Sequence, residues 1–338
     1  MQVTTIGLDI AKNVFQVHGV DEHGKVVLRK PLRRAQVLTF FANLPACRIG
    51  LEACAGAHHW ARRLAALGHE VRLMPPQYVK AYVKTNKHDA ADAEACCEAV
   101  QRPGMRFVTI KSEHQQATLL LQRVRDQLIG QRTATINALR GHLAEFGIVA
   151  AQRQAGLRQL LAILGDLDDA RIPPLAREVL HTLVAHLRQL EERIAELDRR
   201  LVARACTDPV CRALCEVPGV GPVIATAFAA TVPDAGAFRS GRHLAAWLGL
   251  VPRQHATGGK PRQLGLSKRG DGYLRRQLIH GARALLKVSP GRTGRLWSWL
   301  NALRARRPFN VAVAALANKL ARILWALLSR GEAYRAAA

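Results

Sequence analysis

The sequence predicts a mixed α/β domain at the N-terminus, a helical middle region and a mainly α-helical C-terminal domain. Short apolar runs separated by turn residues fill roughly the first hundred residues. A leucine repeat with spacings of three and four follows, and then long alanine- and leucine-rich stretches. With 338 residues, the chain is long enough for more than one hydrophobic core. We place the domains at residues 1–150 (α/β with a trailing helix), 151–206 (linker and coiled coil) and 207–338.

The N-terminal domain is predicted to contain five strands with two helices among them, and then a third helix that carries Asp89 and Asp92. Strands are expected at residues 4–9, 14–20, 25–30, 48–53 and 70–74, and helices at 35–44 and 59–67. Three strands followed by helix, strand, helix and strand is the order of a ribonuclease-H-type sheet.

Four acids in this domain form the candidate metal site. Asp9 and Glu52 each end an apolar strand, and Asp89 and Asp92 lie three residues apart, on one face of a predicted helix. A buried carboxylate is costly unless a cation meets it, and hard oxygen ligands favour Mg²⁺ or Mn²⁺. Two such ions about 4 Å apart suit phosphodiester chemistry. The alternatives are a strand-end Asp that caps a turn and a solvated helix face whose acids lie near the helix dipole.

The charge of the chain indicates a polyanionic partner. Lys and Arg number 50 against 25 Asp and Glu, for a net charge of +25, and nucleic acid is the first candidate. We expect no membrane span, because the most apolar tail, residues 311–328, contains charges and reads as a core helix. We expect a cytoplasmic protein whose seven cysteines are reduced, and no zinc site at Cys206, Cys211 and Cys215, which lack clustered histidines.

The middle region is predicted to contain a long helix over residues 112–147 and a heptad seam after it. The first helix has arginines that either contact a phosphate backbone or form a solvated face: Arg123, Arg125, Arg132 and Arg140. The seam consists of Leu180, Leu183, Leu187, Leu190, Ile194, Leu197 and Leu201. It must pair with a second chain or with the 112–147 helix, and we favour a homo-oligomer through this coiled coil.

The C-terminal domain contains two candidate phosphate-binding segments. The turn Pro218, Gly219, Val220, Gly221 resembles a helix-hairpin-helix, although an ordinary interhelical turn explains it equally well. The glycine-rich stretch after it is predicted to be a loose basic loop that wraps a phosphate backbone. Its cations are Arg253, Lys260, Arg262, Lys268, Arg269, Arg275 and Arg276. Two hydroxyls, Thr257 and Ser267, lie among them.

Several short motifs together resemble one known family. In chain order they are GLDIAK, LEA, KHDAADA, VPGVG, GLVPRQ, TGGK and SKRGDGYLRR. They are similar to the DEDD transposases of the bridge-RNA-guided insertion sequences. The resemblance implies a resolvase-like N-terminal domain of ribonuclease-H fold with the tetrad Asp9, Glu52, Asp89 and Asp92. It also implies a coiled coil, a C-terminal transposase domain with a serine nucleophile, a covalent protein–DNA linkage, and a structured RNA that pairs with donor and target DNA.

One position departs from the family pattern. By spacing from GLVPR, the nucleophilic serine corresponds to Thr257, with Ala256 before it. The hydroxyl is kept but becomes secondary and more hindered. Ser267 is the alternative nucleophile. Two other functions compete with a recombinase: a metal-dependent junction-resolving nuclease, which needs no hydroxyl, and an inactive nucleic-acid-binding relative.

Overall fold

A computed structural model describes residues 2–84 and 88–335 of the chain. The chain divides into two compact units, Met1–Gln116 and Ala117–Ala338. The three-part division at residues 150 and 206 stays a prediction. Lys87 of the KHDAADA motif lies outside the described residues.

The first unit is built on a five-stranded mixed sheet. Its strands are β1 (Thr5–Asp9), β2 (Val14–Val20), β3 (Val26–Arg33), β4 (Arg48–Glu52) and β5 (Glu70–Met74). Their order is β3-β2-β1-β4-β5, in which β1, β2 and β3 pair antiparallel while β4 pairs parallel with β1 and β5. All five predicted strands are confirmed, and the arrangement is consistent with a ribonuclease-H-like domain.

Among the described residues of the first unit, four α-helices accompany the sheet. They are α1 (Val37–Ala42), α2 (Ala57–Ala66), α3 (Pro76–Val79) and α4 (Asp89–Val100). Helix α4 contacts β1, β2 and β4, and two glycines permit its close approach. A Cβ added to Gly7 would lie 2.0 Å from the carbonyl oxygen of Ala93, and one added to Gly50 would lie 2.9 Å from that of Cys96. Gly7 therefore leaves room for a helix backbone, so that α4 rests directly on the strands that end in Asp9 and Glu52.

Three long helices open the second unit. Helix α5 (Glu113–Ala144) begins in the first unit, and α6 (Arg153–Gly165) and α7 (Pro174–Thr207) follow. Leu139 and Leu143 of α5 form one buried cluster with Leu157 and Leu160 of α6 and with the N-terminal half of the α7 seam. Further along the seam, Leu190 and Ile194 are also buried.

The burial of this seam corrects our preference for a coiled coil between two chains. Leu187 and Leu190 are each only 2% exposed within a single chain. The apolar face of α7 is therefore already covered by its own chain and is not available to a second copy. A heptad spacing specifies that a helix buries one stripe, and it does not specify which partner covers that stripe.

The remaining elements form the C-terminal part of the second unit. They are α8 (Pro209–Cys215), α9 (Pro222–Thr231), α10 (Gly241–Trp247), β6 (Pro252–Thr257), β7 (Lys260–Leu266), α11 (Gly272–Lys287), α12 (Arg295–Arg306) and α13 (Phe309–Arg330). Strands β6 and β7 form an antiparallel hairpin. The prediction of a loose loop is wrong for this stretch, because regular strand pairing orders the backbone of the basic segment.

Helix α13 forms the centre of this core. By length and composition it is the one helix among the described residues that is able to cross a membrane. Its Leu316, Leu320 and Leu324 are fully buried against the other helices. One face of α13 is therefore a core face, as the sequence predicted for this helix.

Candidate active site and nucleic-acid interface

The sheet and α4 bring the four predicted carboxylates to one region of the first unit. Asp9 and Glu52 end the neighbouring parallel strands β1 and β4, whose register pairs Leu8 with Leu51. Asp89 and Asp92 occupy the first turn of α4, where the imidazole of His88 accepts a hydrogen bond from the Ala90 N–H at 3.1 Å. Because α4 rests on β1 and β4, its acidic turn belongs to the same face of the sheet as the two strand-end acids.

The electrostatics of Asp9 reflect this grouping. The pKa of the Asp9 carboxyl is raised from 3.8 to about 6. Partial burial is the largest cause, the negative charges of Asp92, Asp89 and Glu52 add to it, and a backbone hydrogen bond from Ile10 acts in the opposite direction. All three other acids therefore lie close enough to oppose the ionisation of Asp9.

The donor set fits a divalent cation by its chemistry. Carboxylate oxygens are the ligands that Mg²⁺ and Mn²⁺ prefer, and a cation would remove the repulsion that raises the Asp9 pKa. Within the described ranges, no three His, Cys, Asp or Glu side chains are grouped closely enough to hold a metal ion as they stand. The four acids therefore lie in one region, but their side chains do not converge on one metal position.

The second predicted centre lies at the tip of the β6–β7 hairpin. Thr257 pairs with Lys260 across a two-residue turn of Gly258 and Gly259, whose φ angles are +55° and +76°. Positive φ at both turn positions is the geometry of a type I′ hairpin turn, which glycine adopts without strain. Thr257 is exposed, as are Arg253, Lys260 and Arg262. The hairpin therefore presents a hydroxyl among cations to solvent.

The base of this hairpin is fixed to the helices beside it. The Ser267 N–H donates to the Val251 carbonyl at 2.9 Å, and the Lys268 N–H donates to that of Gly249 at 3.2 Å. A Cβ on Gly270 would lie 1.9 Å from the Trp247 carbonyl oxygen. The Ser267 hydroxyl is buried and has no hydrogen-bond partner among the described residues. It therefore lacks the access to solvent that Thr257 has.

The predicted phosphate-binding cations divide into two groups. Lys268 and Arg269 are exposed, like the cations of the hairpin. Arg275 instead donates to the carbonyls of Leu248 and Arg269 at 3.0 and 2.7 Å. Arg276 pairs with Asp126 of α5 at 2.6 Å. Arg275 and Arg276 therefore bind other groups of the same chain, whereas Lys268 and Arg269 are exposed.

Comparison with known proteins completes these observations. The family model described as "Transposase" of the DEDD IS110 type matches residues 6–148, and the model "Transposase IS116/IS110/IS902 family" matches residues 211–296. A protein of Pseudomonas aeruginosa named "Probable family 20 transposase" is 53% identical over 99% of both chains.

Two further relatives are transposases of named insertion sequences. The transposase for IS1111A of Coxiella burnetii is 42% identical over 99% of this chain and 92% of its own length. The transposase for IS1328 of Yersinia enterocolitica is 41% identical over 98% of both chains. The chain belongs to the IS110/IS116 family of transposases. It is therefore an enzyme that acts on DNA.

The two matched ranges of this transposase enclose the two candidate centres. Residues 6–148 contain the four carboxylates, and residues 211–296 contain the hairpin with Thr257. Helices α6 and α7 lie outside both ranges.

In the transposase, the Pro218–Gly221 turn is packed against α11. Gly219 has a φ of +82°, and a Cβ added to Gly281 of α11 would lie 2.2 Å from the Gly219 carbonyl oxygen. Val220 is only 4% exposed, whereas Gly221 is exposed at the start of α9. The packing of an interhelical turn therefore explains the two glycines at 219 and 281. It does not by itself give the turn a helix-hairpin-helix function.

Sequence reasoning missed a buried polar junction in the second unit. The Tyr273 hydroxyl donates to Gln122 Oε1 at 2.5 Å, and Gln122 Nε2 donates to Thr226 Oγ1 at 2.7 Å. Gln122 is 0% exposed, and burial raises the pKa of Tyr273 to about 12. These bonds connect α5, α9 and α11. No local pattern marks Gln122, because it lies between Leu121 and Arg123 in a helix with many polar residues.

Proposed function

We propose that this transposase cuts and rejoins DNA through a covalent intermediate on Thr257, assisted by Mg²⁺ or Mn²⁺ at Asp9, Glu52, Asp89 and Asp92. The observation that carries the proposal is the placement of the Asp9 and Glu52 strand ends beside the acidic first turn of α4, close enough for all three other acids to raise the pKa of Asp9. A protein that only binds phosphates gains nothing from four gathered negative charges, because they repel DNA. Four gathered acids instead suit a divalent cation.

The four carboxylates would hold the ions through their oxygens. When bound, divalent cations activate an attacking oxygen and stabilise a leaving one in phosphodiester chemistry. Ionised acids are required for this, and Asp9, with a pKa of about 6, is mostly ionised at neutral pH. A bound cation would lower that pKa and so favour the ionised form of Asp9.

Thr257 is the proposed nucleophile. Its hydroxyl oxygen loses its proton as it forms a bond to phosphorus, the bond from phosphorus to one strand oxygen breaks, and the released strand oxygen takes up a proton, so that no net proton is lost. The phosphodiester energy is kept in the threonine–phosphate ester, so that attack by another strand end rejoins DNA. Lys260 and Arg262, exposed on the same hairpin, would stabilise the developing negative charge. The burial of the Ser267 hydroxyl favours Thr257 over Ser267.

The partners belong to the same proposal. The net charge of +25 and the exposed cations of the hairpin suit donor and target DNA and a structured guide RNA. We place the reaction in the cytoplasm. Sequencing the RNA that copurifies with the protein tests the guide: one structured species encoded beside the gene supports it, and a random mixture contradicts it.

Trapping the covalent adduct tests the mechanism. Thr257→Ala should abolish the protein–DNA adduct and retain DNA binding, whereas Thr257→Ser should form it at least as fast, because a primary hydroxyl is less hindered. Thr293→Ala, at another exposed threonine in a basic glycine-containing segment, is the matched control and should leave the adduct unchanged. Mass spectrometry of the adduct peptide decides the site. An adduct that persists undiminished in Thr257→Ala, or one mapped to Ser267, would overturn the assignment.

The same experiment separates the competing functions. A metal-dependent junction-resolving nuclease would cleave DNA without any adduct and would tolerate Thr257→Ala. An inactive relative would bind DNA and cleave none.

A further inference from the structure

The tip between α6 and α7 exposes an unusual set of apolar side chains. Leu167 is 79% exposed, Leu175 72% and Val179 55%. Asp166, Asp168 and Glu178, which are also exposed, lie among them. We call these six residues the acidic tip. The exposed Arg171 beside them pairs with Asp169 at 2.6 Å, so the three acids of the tip make it a local exception to the basic surface of a chain whose net charge is +25.

The acidic tip is held in a fixed shape by one buried arginine. Arg177 is only 7% exposed, and its guanidinium donates to the carbonyls of Leu164 and Asp169 at 2.8 and 2.7 Å. It also donates to the Asp166 carbonyl. The Asp166 carboxylate in turn accepts the Asp168 N–H at 3.1 Å. Because the backbone here is already fixed, little backbone entropy is lost when the exposed leucines dock against another surface. Exposed apolar side chains on such a backbone are typical of binding surfaces.

A groove of complementary character lies in the C-terminal part of the same unit. Its volume is about 1010 Å³, and the lining includes Trp299, Trp325, Val311 and Ile323. Val311 is 51% exposed, and Lys319 lies 4.0 Å from the ring centre of Trp299. Arg242 and Arg322 are exposed at the groove, and no acid is among its described lining residues. We call this the basic groove.

The geometry excludes docking of the tip into the groove of its own chain. The acidic tip lies at the N-terminal end of α7, whose 34 residues span about 51 Å. The opposite end of α7 packs against α8 and α9, and Ala205 near that end belongs to the same core as α13. Most of the length of α7 therefore lies between the two surfaces.

We infer that the acidic tip of one chain docks into the basic groove of a second copy of this chain. Leucine and valine side chains match the apolar lining, and the aspartates and glutamate match the arginines at the groove. If two copies exchange tips reciprocally, the contact has two-fold symmetry and closes as a dimer. This contact leaves the buried α7 seam intact.

A charge swap tests the inference without DNA or activity. The groove variant is Arg242→Glu with Arg322→Glu, and the tip variant is Asp166→Arg with Asp168→Arg. Each variant alone brings like charges together, which should weaken self-association at least about tenfold. In an equimolar mixture both exchanged contacts become complementary again, so association should recover to within about threefold of the unmodified chain. Light scattering and sedimentation over a concentration series, on nuclease-treated protein free of nucleic acid, measure this.

Two controls keep the test specific. Arg330→Glu reverses an exposed arginine of α13 that does not line the groove, and Val149→Asp changes an exposed residue at the other end of α6. Both should leave association unchanged. Circular dichroism checks that the variants remain folded. A wild-type chain that is monomeric at every concentration, variants that associate as it does, or a mixture that fails to recover would each overturn the inference.

Discussion

Asp9 has the clearest pH dependence that the structure assigns to a single residue. Its folded-state pKa, about 6, lies above the unfolded value of 3.8. The folded chain therefore binds this proton more tightly than the unfolded chain does. The resulting stability is fully present below about pH 3.8 and is lost as the pH rises through about 6.

Asp9→Asn should accordingly stabilise the metal-free protein at neutral pH. We expect the free energy of unfolding in excess chelator at pH 7.5 to rise by about 1–2 kcal/mol, after allowing for the solvent exposure of the carboxyl. The gain should shrink as the pH is lowered from 6 towards 4. Urea unfolding at several pH values measures it. Glu145→Gln, at an exposed acid outside the cluster, is the control and should give no such gain. An Asp9→Asn protein less stable than wild type at pH 7.5 would contradict the account.

Among the elements, the contact between the Pro218–Gly221 turn and α11 depends on the absence of one Cβ. Gly281→Ala places a methyl group 2.2 Å from the Gly219 carbonyl oxygen and forces the two apart. We expect a loss of roughly 2–4 kcal/mol, as for other overpacked cores. Gly130→Ala in α5, where a Cβ meets nothing within 4 Å, is the matched helical control. It should be neutral or stabilising by up to about 1 kcal/mol. Thermal unfolding of both variants decides it, and equal melting temperatures would refute the tight contact.

The α7 seam gives a second prediction for an element. Leu187→Asn with Leu190→Asn places two amides in a buried cluster of one chain, so the main effect should be on folding rather than on oligomer mass. We expect a loss of at least about 4 kcal/mol in the free energy of unfolding. Arg188→Asn with Glu191→Asn, on the exposed side of the same helix, should cost less than about 1 kcal/mol. A double leucine variant that keeps its stability but halves its mass would restore the intermolecular coiled coil.

Across the whole molecule, the sequence predicted those features that local pattern determines. Asp9 and Glu52 were identifiable because each ends an apolar strand, and parallel pairing of those strands then makes them neighbours. The hairpin escaped prediction because β6 and β7 lie on the surface, so no apolar alternation marks them. Gly7 lies in the sequence of β1, but only tertiary structure shows that α4 packs against it. The sequence also does not predict which elements cover the α7 seam, because that depends on tertiary structure.

Metal binding by the four carboxylates tests the central claim most directly. Titration calorimetry with Mn²⁺ should show binding to the metal-free wild-type protein and a rise in its melting temperature. Asp9→Asn and Glu52→Gln should abolish both effects and all DNA cleavage, while DNA binding is kept or strengthened. Glu145→Gln should behave as wild type. Unchanged Mn²⁺ binding by the Asp9→Asn and Glu52→Gln proteins, or full DNA cleavage by either of them or in excess chelator, would contradict a metal-dependent transposase centred on these acids.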